Sequence, residues 1–69
     1  MTFTYQLDQE EDGRFLAEIV ELPGCLAYGA TQEDALRAVQ VLALRIVADR
    51  IEHDEQKTAV PTISFVQAA

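Results

Sequence analysis

The segment at residues 21–36, reading ELPGCLAYGATQEDAL, constrains this chain most, because a turn, a short strand and a helix start are packed into one short stretch. Pro23-Gly24 ends one strand and releases the next, since proline fixes φ and glycine tolerates backbone angles that other residues avoid. Gly29 ends that next strand. Thr31 is a helix N-cap, and Asp34 three residues on is placed for the reciprocal bond of a capping box and for the positive end of the helix dipole. Cys25 is its one reactive group.

The rest of the chain has to fit around this segment within 69 residues, which leaves room for one domain, residues 1–69, with a small core. A hydrophobic content of 49% with 25% charged residues favours a folded chain over a disordered one. Residues 2–9 alternate, with Phe3, Tyr5 and Leu7 on one face and Thr2, Thr4, Gln6 and Asp8 on the other, as a half-buried strand does. Asp12-Gly13 is a hairpin signal that joins them to a second strand at residues 14–21. There Phe15, Ala17 and Ile19 share a face, while Leu16, Glu18 and Val20 share the other, so neither side is fully polar. The second apolar face arises either by chance or for contact with something else. A third strand at residues 25–29 points Leu26 and Tyr28 to one side.

From Gln32 to about His53 the pattern is helical and free of Gly and Pro. Leu36, Val39, Ala43, Ile46, Val47 and Arg50 form one stripe, with Ala35, Leu42 and Ile51 at its margin. Val41, Leu44 and Ala48 fall outside that stripe, so the second half of the helix is apolar on two sides and calls for cover by another molecule. A polar loop at residues 53–57 and a connection at residues 58–61 lead into a last strand at residues 62–66, with Ile63 and Phe65 on one face. The expected fold is α+β, a three-stranded antiparallel meander, one long helix on one sheet face, then a fourth strand. That strand pairs parallel to the first through a right-handed crossover.

Charge narrows the partners. Five Lys and Arg against 12 Asp and Glu give a net charge of −7, which repels phosphate backbones and favours a basic partner. No basic, apolar leader opens the chain, and no run approaches the roughly 18 apolar residues of a membrane span. With one unpaired cysteine, a soluble cytoplasmic protein without membrane attachment is expected.

Catalytic chemistry is not assembled. Cys25 and the single His53 lie at opposite ends of the strand-helix segment, and Asp8, Glu10, Glu11 and Asp12 lack calcium-loop spacing. Asp34 and Glu33 are explained by the helix start, leaving Glu18 and Glu21 without an acid-base partner. Phe3, Tyr5, Phe15, Tyr28 and Phe65 could stack bases, but the acidic charge opposes that, and a sheet face packed on the helix explains them more simply. No enzyme activity, cofactor or metal is expected. The candidate partner or oligomer interface residues are Leu16, Glu18 and Val20 on the second face of the second strand, and Val41, Leu44 and Ala48 on the second side of the helix.

Glu21-Leu22-Pro23-Gly24-Cys25, followed by Gly29-Ala30-Thr31-Gln32-Glu33-Asp34-Ala35-Leu36, resembles the signature of the HicB antitoxin family, in its short stand-alone form. Phe15-Leu16-Ala17-Glu18 is similar to the family's second strand, and Pro61 matches a proline before its last strand; Ala30 replaces a residue usually acidic. The resemblance implies a degenerate ribonuclease H-like fold without catalytic carboxylates. It also implies a domain that covers a small basic HicA-type toxin and blocks its cleavage of messenger RNA. Many members carry a C-terminal DNA-binding segment, whereas this chain ends four residues after Phe65, so direct DNA binding is not expected. Family members form dimers or larger assemblies, in keeping with a homo-oligomer. The expected function is therefore an antitoxin-like binding protein, the alternative being an orphan oligomeric module without a toxin.

Overall fold

Gly13, at φ +91°, turns the chain at the tip of a hairpin closed by bonds from the Glu10 N–H to Arg14 O at 2.7 Å and from the Gly13 N–H to Glu10 O at 2.9 Å. The hairpin joins β1 (Thr2–Gln9) to β2 (Phe15–Ile19), antiparallel, with Leu7 opposite Ala17 and Gln9 opposite Phe15. These come from a computed structural model, which describes residues 1–57 and 59–69. Gly24, at φ +84°, then turns the chain into β3 (Leu26–Gly29), antiparallel to β2 with Ala17 opposite Ala27. Helix α1 (Gln32–Glu52) follows, and β4 (Ser64–Gln67) closes the order β3-β2-β1-β4, parallel to β1 with Phe3 opposite Phe65. The architecture is α+β, with α1 packed mainly on β2 and β3.

Several expected boundaries shift. β2 is shorter than residues 14–21 because Val20 and Glu21 already belong to the turn, and β4 begins at Ser64 and runs through Gln67. The connection at residues 58–61 was expected to lead into β4; its Thr58 lies outside the described residues.

The core lies between the helix and the odd-numbered face of the sheet. Phe3, Ala17 and Ile19 meet Ala35, Val39, Ala43 and Val47, with Leu22 and Cys25 from the turn filling in beside them. Tyr5, Leu7, Phe15, Ala27, Leu36, Ile46 and Phe65 are half-buried around it, and the Phe3 and Phe65 rings stand 5.8 Å apart. The buried helical stripe is thus 35, 39, 43, 47, with Ala35 at its centre line, not its margin. Its small residues let the backbone of α1 come close to the sheet. Arg50, in phase with that stripe, is exposed. At about 1.5 Å per residue the 21-residue helix is far longer than the four and five residues of β3 and β2 beneath it, so its last turn runs past the sheet. The molecule is correspondingly long, 45 × 21 × 18 Å.

Thr31 caps α1, its Oγ1 accepting the Asp34 N–H at 3.0 Å. Among the described residues the reciprocal bond from the Thr31 N–H to the Asp34 side chain is not made, so the cap is half a capping box. No helix among the described residues is long and apolar enough to cross a membrane.

Candidate protein-binding surface

With α1 on one side, the even-numbered side chains of the strands face out from the other. Strand pairing sets them in rows: Tyr28 beside Leu16 beside Asp8, then Leu26 beside Glu18 beside Gln6. A third row follows at the open end, where the Val20 N–H donates to Thr4 O at 2.9 Å and Thr4 pairs with Val66. Leu26, Tyr28, Val66 and Val20 stay 40%, 45%, 47% and 49% exposed, and Leu16 is half-buried among them. In a chain this short, so many large apolar groups on one side make a patch, not scattered single exposures.

Carboxylates are interleaved with this patch. Asp8 and Glu18 stand on the open face itself, in diagonal positions one row apart, and Glu10, Glu11 and Asp12 crowd the hairpin tip beside its Tyr28-Leu16 end. The nearest base, Arg14, is already engaged. Its Nε donates to Asp12 Oδ2 at 2.7 Å, its backbone N–H to Oδ1 at 3.1 Å, and its guanidinium lies 4.5 Å from the centre of the Tyr28 ring. The Arg14 backbone bond is also the leading reason that the Asp12 carboxyl is held below its ordinary value. The open face therefore combines apolar side chains with uncompensated negative charge.

Glu21 braces the end of the same face. Its Oε1 accepts the Thr4 N–H and its Oε2 the Thr4 hydroxyl, both at 2.7 Å, substituting a side chain for the ladder bond that β2 no longer supplies once it turns. The Thr4 N–H bond lowers the Glu21 pKa most, and the hydroxyl bond adds to it.

The six candidate residues do not form one site. Leu16, Glu18 and Val20 lie on the open sheet face, whereas Val41, Leu44 and Ala48 lie on the outer side of α1, with the whole two-layer domain between them. Leu26, Tyr28 and Val66 belong with the first group. The strand register that sets Tyr28 beside Leu16 and Leu26 beside Glu18 was the signal for two of them; Val66 depended on the parallel pairing of β4. The aromatic residues divide as well: Phe3, Tyr5, Phe15 and Phe65 pack under the helix and Tyr28 stands alone on the open face.

The remaining chemical groups have structural explanations. Cys25 is 1% exposed, its Sγ 4.0 Å from Val39 O, and burial pushes its thiol pKa up, away from the reactive thiolate. His53 caps the C-terminus of α1, its Nδ1 2.8 Å from Asp49 O and 3.3 Å from Asp49 Oδ1. Asp49, Glu52 and His53 bring ligand-type atoms within 4.8 Å of one another on an exposed turn, a geometry that follows from their i, i+3, i+4 spacing at the helix end. A shallow open cleft of about 290 Å³ between Gln6, Leu7, Asp8 and Gln67, Ala68, Ala69 is bounded largely by polar groups. No family model matches this chain, and no curated protein or solved structure is significantly similar to it.

Proposed function

We propose that this chain is an antitoxin-like binding module of the HicB type, whose open sheet face takes a small basic protein such as a HicA-type ribonuclease toxin and masks it. One observation supports this reading above the others: Leu16, Val20, Leu26, Tyr28 and Val66 stay accessible on the face opposite the helix, with Asp8 and Glu18 set among them. The apolar groups supply contact area, and the carboxylates favour cationic partners and speed their approach. The reading includes a degenerate ribonuclease H-like fold, residence in the cytoplasm and no catalysis by the chain itself.

Co-expression with the product of an adjacent small basic reading frame is the test. The wild-type chain is expected to co-purify with that product and relieve its growth arrest, with association slowing as salt rises. Leu26→Arg and Val20→Arg, both at exposed positions, are expected to abolish the complex while leaving the unfolding midpoint nearly unchanged. Failure of the wild-type chain to bind or to relieve arrest overturns the reading. The alternative, a self-associating module without a toxin, draws on the helix side of the molecule instead.

A further inference from the structure

Among the described residues, Tyr28 is the one aromatic ring on the open sheet face, and a guanidinium already lies on it. Arg14 Cζ is 4.5 Å from the ring centre and Arg14 Nε donates to Asp12 Oδ2 at 2.7 Å, so ring and carboxylate together hold one planar cation. The rest of that cation is unused: among the described residues its two NH2 groups make no hydrogen bond or ion pair. The Arg14 and Asp12 side chains are both 55% exposed and Tyr28 is 45% exposed, so this intramolecular contact is weakly held. Asp12 does not depend on it. Its Oδ1 accepts the Arg14 backbone N–H at 3.1 Å, a bond that keeps the carboxylate in place and ionised when the side chain swings away. The other bases of the chain are Arg37, Arg45 and Arg50 on α1 and Lys57 beyond it, which leaves Arg14 as the only base in the β1-β2-β3 meander.

We propose that the Tyr28 ring and the Asp12 carboxylate form a receptor for an arginine side chain of a basic partner, and that Arg14 is the chain's own occupant, displaced when that arginine docks. The inference deepens the antitoxin reading and rests on it for the partner being a basic protein. The incoming guanidinium takes over the same stacking and the same bond to Oδ2. Its arrival also brings the neighbouring Leu16 and Leu26 under cover, which Arg14 from within the chain does not do. Arg14 thereby sets a threshold, because the time it spends on Tyr28 lowers the apparent affinity of any cation that needs the ring. A guanidinium stacks on the ring and pairs with the carboxylate at once, whereas a lysine ammonium is a hydrated point charge without a flat face.

NMR titrations with a hexa-arginine and a hexa-lysine peptide, following the Tyr28 ring protons, test the receptor and its occupant without a toxin. The wild-type chain is expected to bind hexa-arginine more tightly than hexa-lysine, with the largest shifts at Tyr28. Arg14→Ala, which keeps the backbone bond to Asp12, is expected to raise that preference on the order of threefold, because hexa-lysine binds through charge alone. Arg37→Ala removes the same charge from the helix side and is expected to leave the preference unchanged. Tyr28→Phe should keep the preference and Tyr28→Leu abolish it, both with the wild-type circular dichroism because the side chain is half exposed. Equal binding of the two peptides, a preference that Arg14→Ala leaves unchanged or lowers, or one that survives Tyr28→Leu overturns the proposal. Failure to mask a toxin while the arginine preference persists overturns the antitoxin reading alone, and loss of the preference with masking intact overturns the receptor alone.

Discussion

A Cβ added to Gly29 would stand 2.8 Å from the Asp34 carbonyl carbon and 2.9 Å from the Ala35 Cα, with the Ala35 amide nitrogen nearer still. The backbone of Gly29 is not in the left-handed region, so what fixes glycine here is the approach of the first helical turn to β3. The sequence marks Gly29 as a strand end; its true constraint comes from Ala35 in the first turn of α1, six residues later. Gly29→Ala is expected to lower stability on the order of 3 kcal/mol, read as a lower urea midpoint, because both neighbours are backbone and cannot swing aside. Glu21 gives a second test at this scale. Its folded pKa is below the ordinary 4.5, so its bonds to Thr4 add stability above that pH, and this contribution is lost as pH falls through the lower folded value. Glu21→Gln should therefore destabilise the chain at pH 7 and make less difference near pH 3; a gap that stays constant on acidification would count against the Thr4 clasp. Nothing in the local sequence marks Glu21 for this role, since its partner is 17 residues earlier and is reached only when the strands pair.

Among the elements, the helix was the most legible and its packing the least. Thr31 as N-cap and the span to Glu52 follow from capping chemistry and the absence of Gly and Pro. Of the residues that touch the sheet, Val39, Ala43 and Val47 fall in the expected stripe, whereas Ala35 stood at its margin and Arg50, placed in it, is exposed, because an apolar surface that wraps most of a helix leaves the edges of its stripe open. Close approach to the flat sheet chose Ala35, Val39, Ala43 and Val47, all small or β-branched, and left the larger Leu36, Leu42 and Ile46 to flank them. Ala43 is completely buried, so Ala43→Leu is expected to cost about 1–3 kcal/mol by prising α1 off β2, measurable as a lower thermal midpoint. Leu22 and Cys25 show the same limit. The Leu-Pro-Gly segment reads as a turn, which leaves the direction of its side chains open; bonds from the Leu22 N–H to Ile19 O at 3.2 Å and from the Cys25 N–H to Leu22 O at 2.9 Å accompany the burial of both side chains.

At the scale of the molecule, the fold has two layers and therefore two outer sides. Leu16, Glu18 and Val20 lie on one side and Val41, Leu44 and Ala48 on the other, the second face of β2 and the second side of the helix that the sequence pattern marks separately. The overhang of α1 yields a prediction of its own: amide hydrogen exchange in the turn ending at Glu52 should be much faster than around Val39 and Ala43, where the sheet supports the helix. The sequence by itself determined the order of the elements, the hairpin, the helix cap and the alternation along each strand, because those depend on contacts between residues a few positions apart. The tertiary structure alone decided the place of Ala35 at the centre of the buried stripe, the need for glycine at 29, the Glu21 clasp on Thr4 and the row that joins Val66 to Val20. The Gly29 contact reaches only six residues along the chain but depends on the angle at which α1 leaves β3; the others rest on the distance between segments far apart in sequence, and local spacing carries no record of any of them.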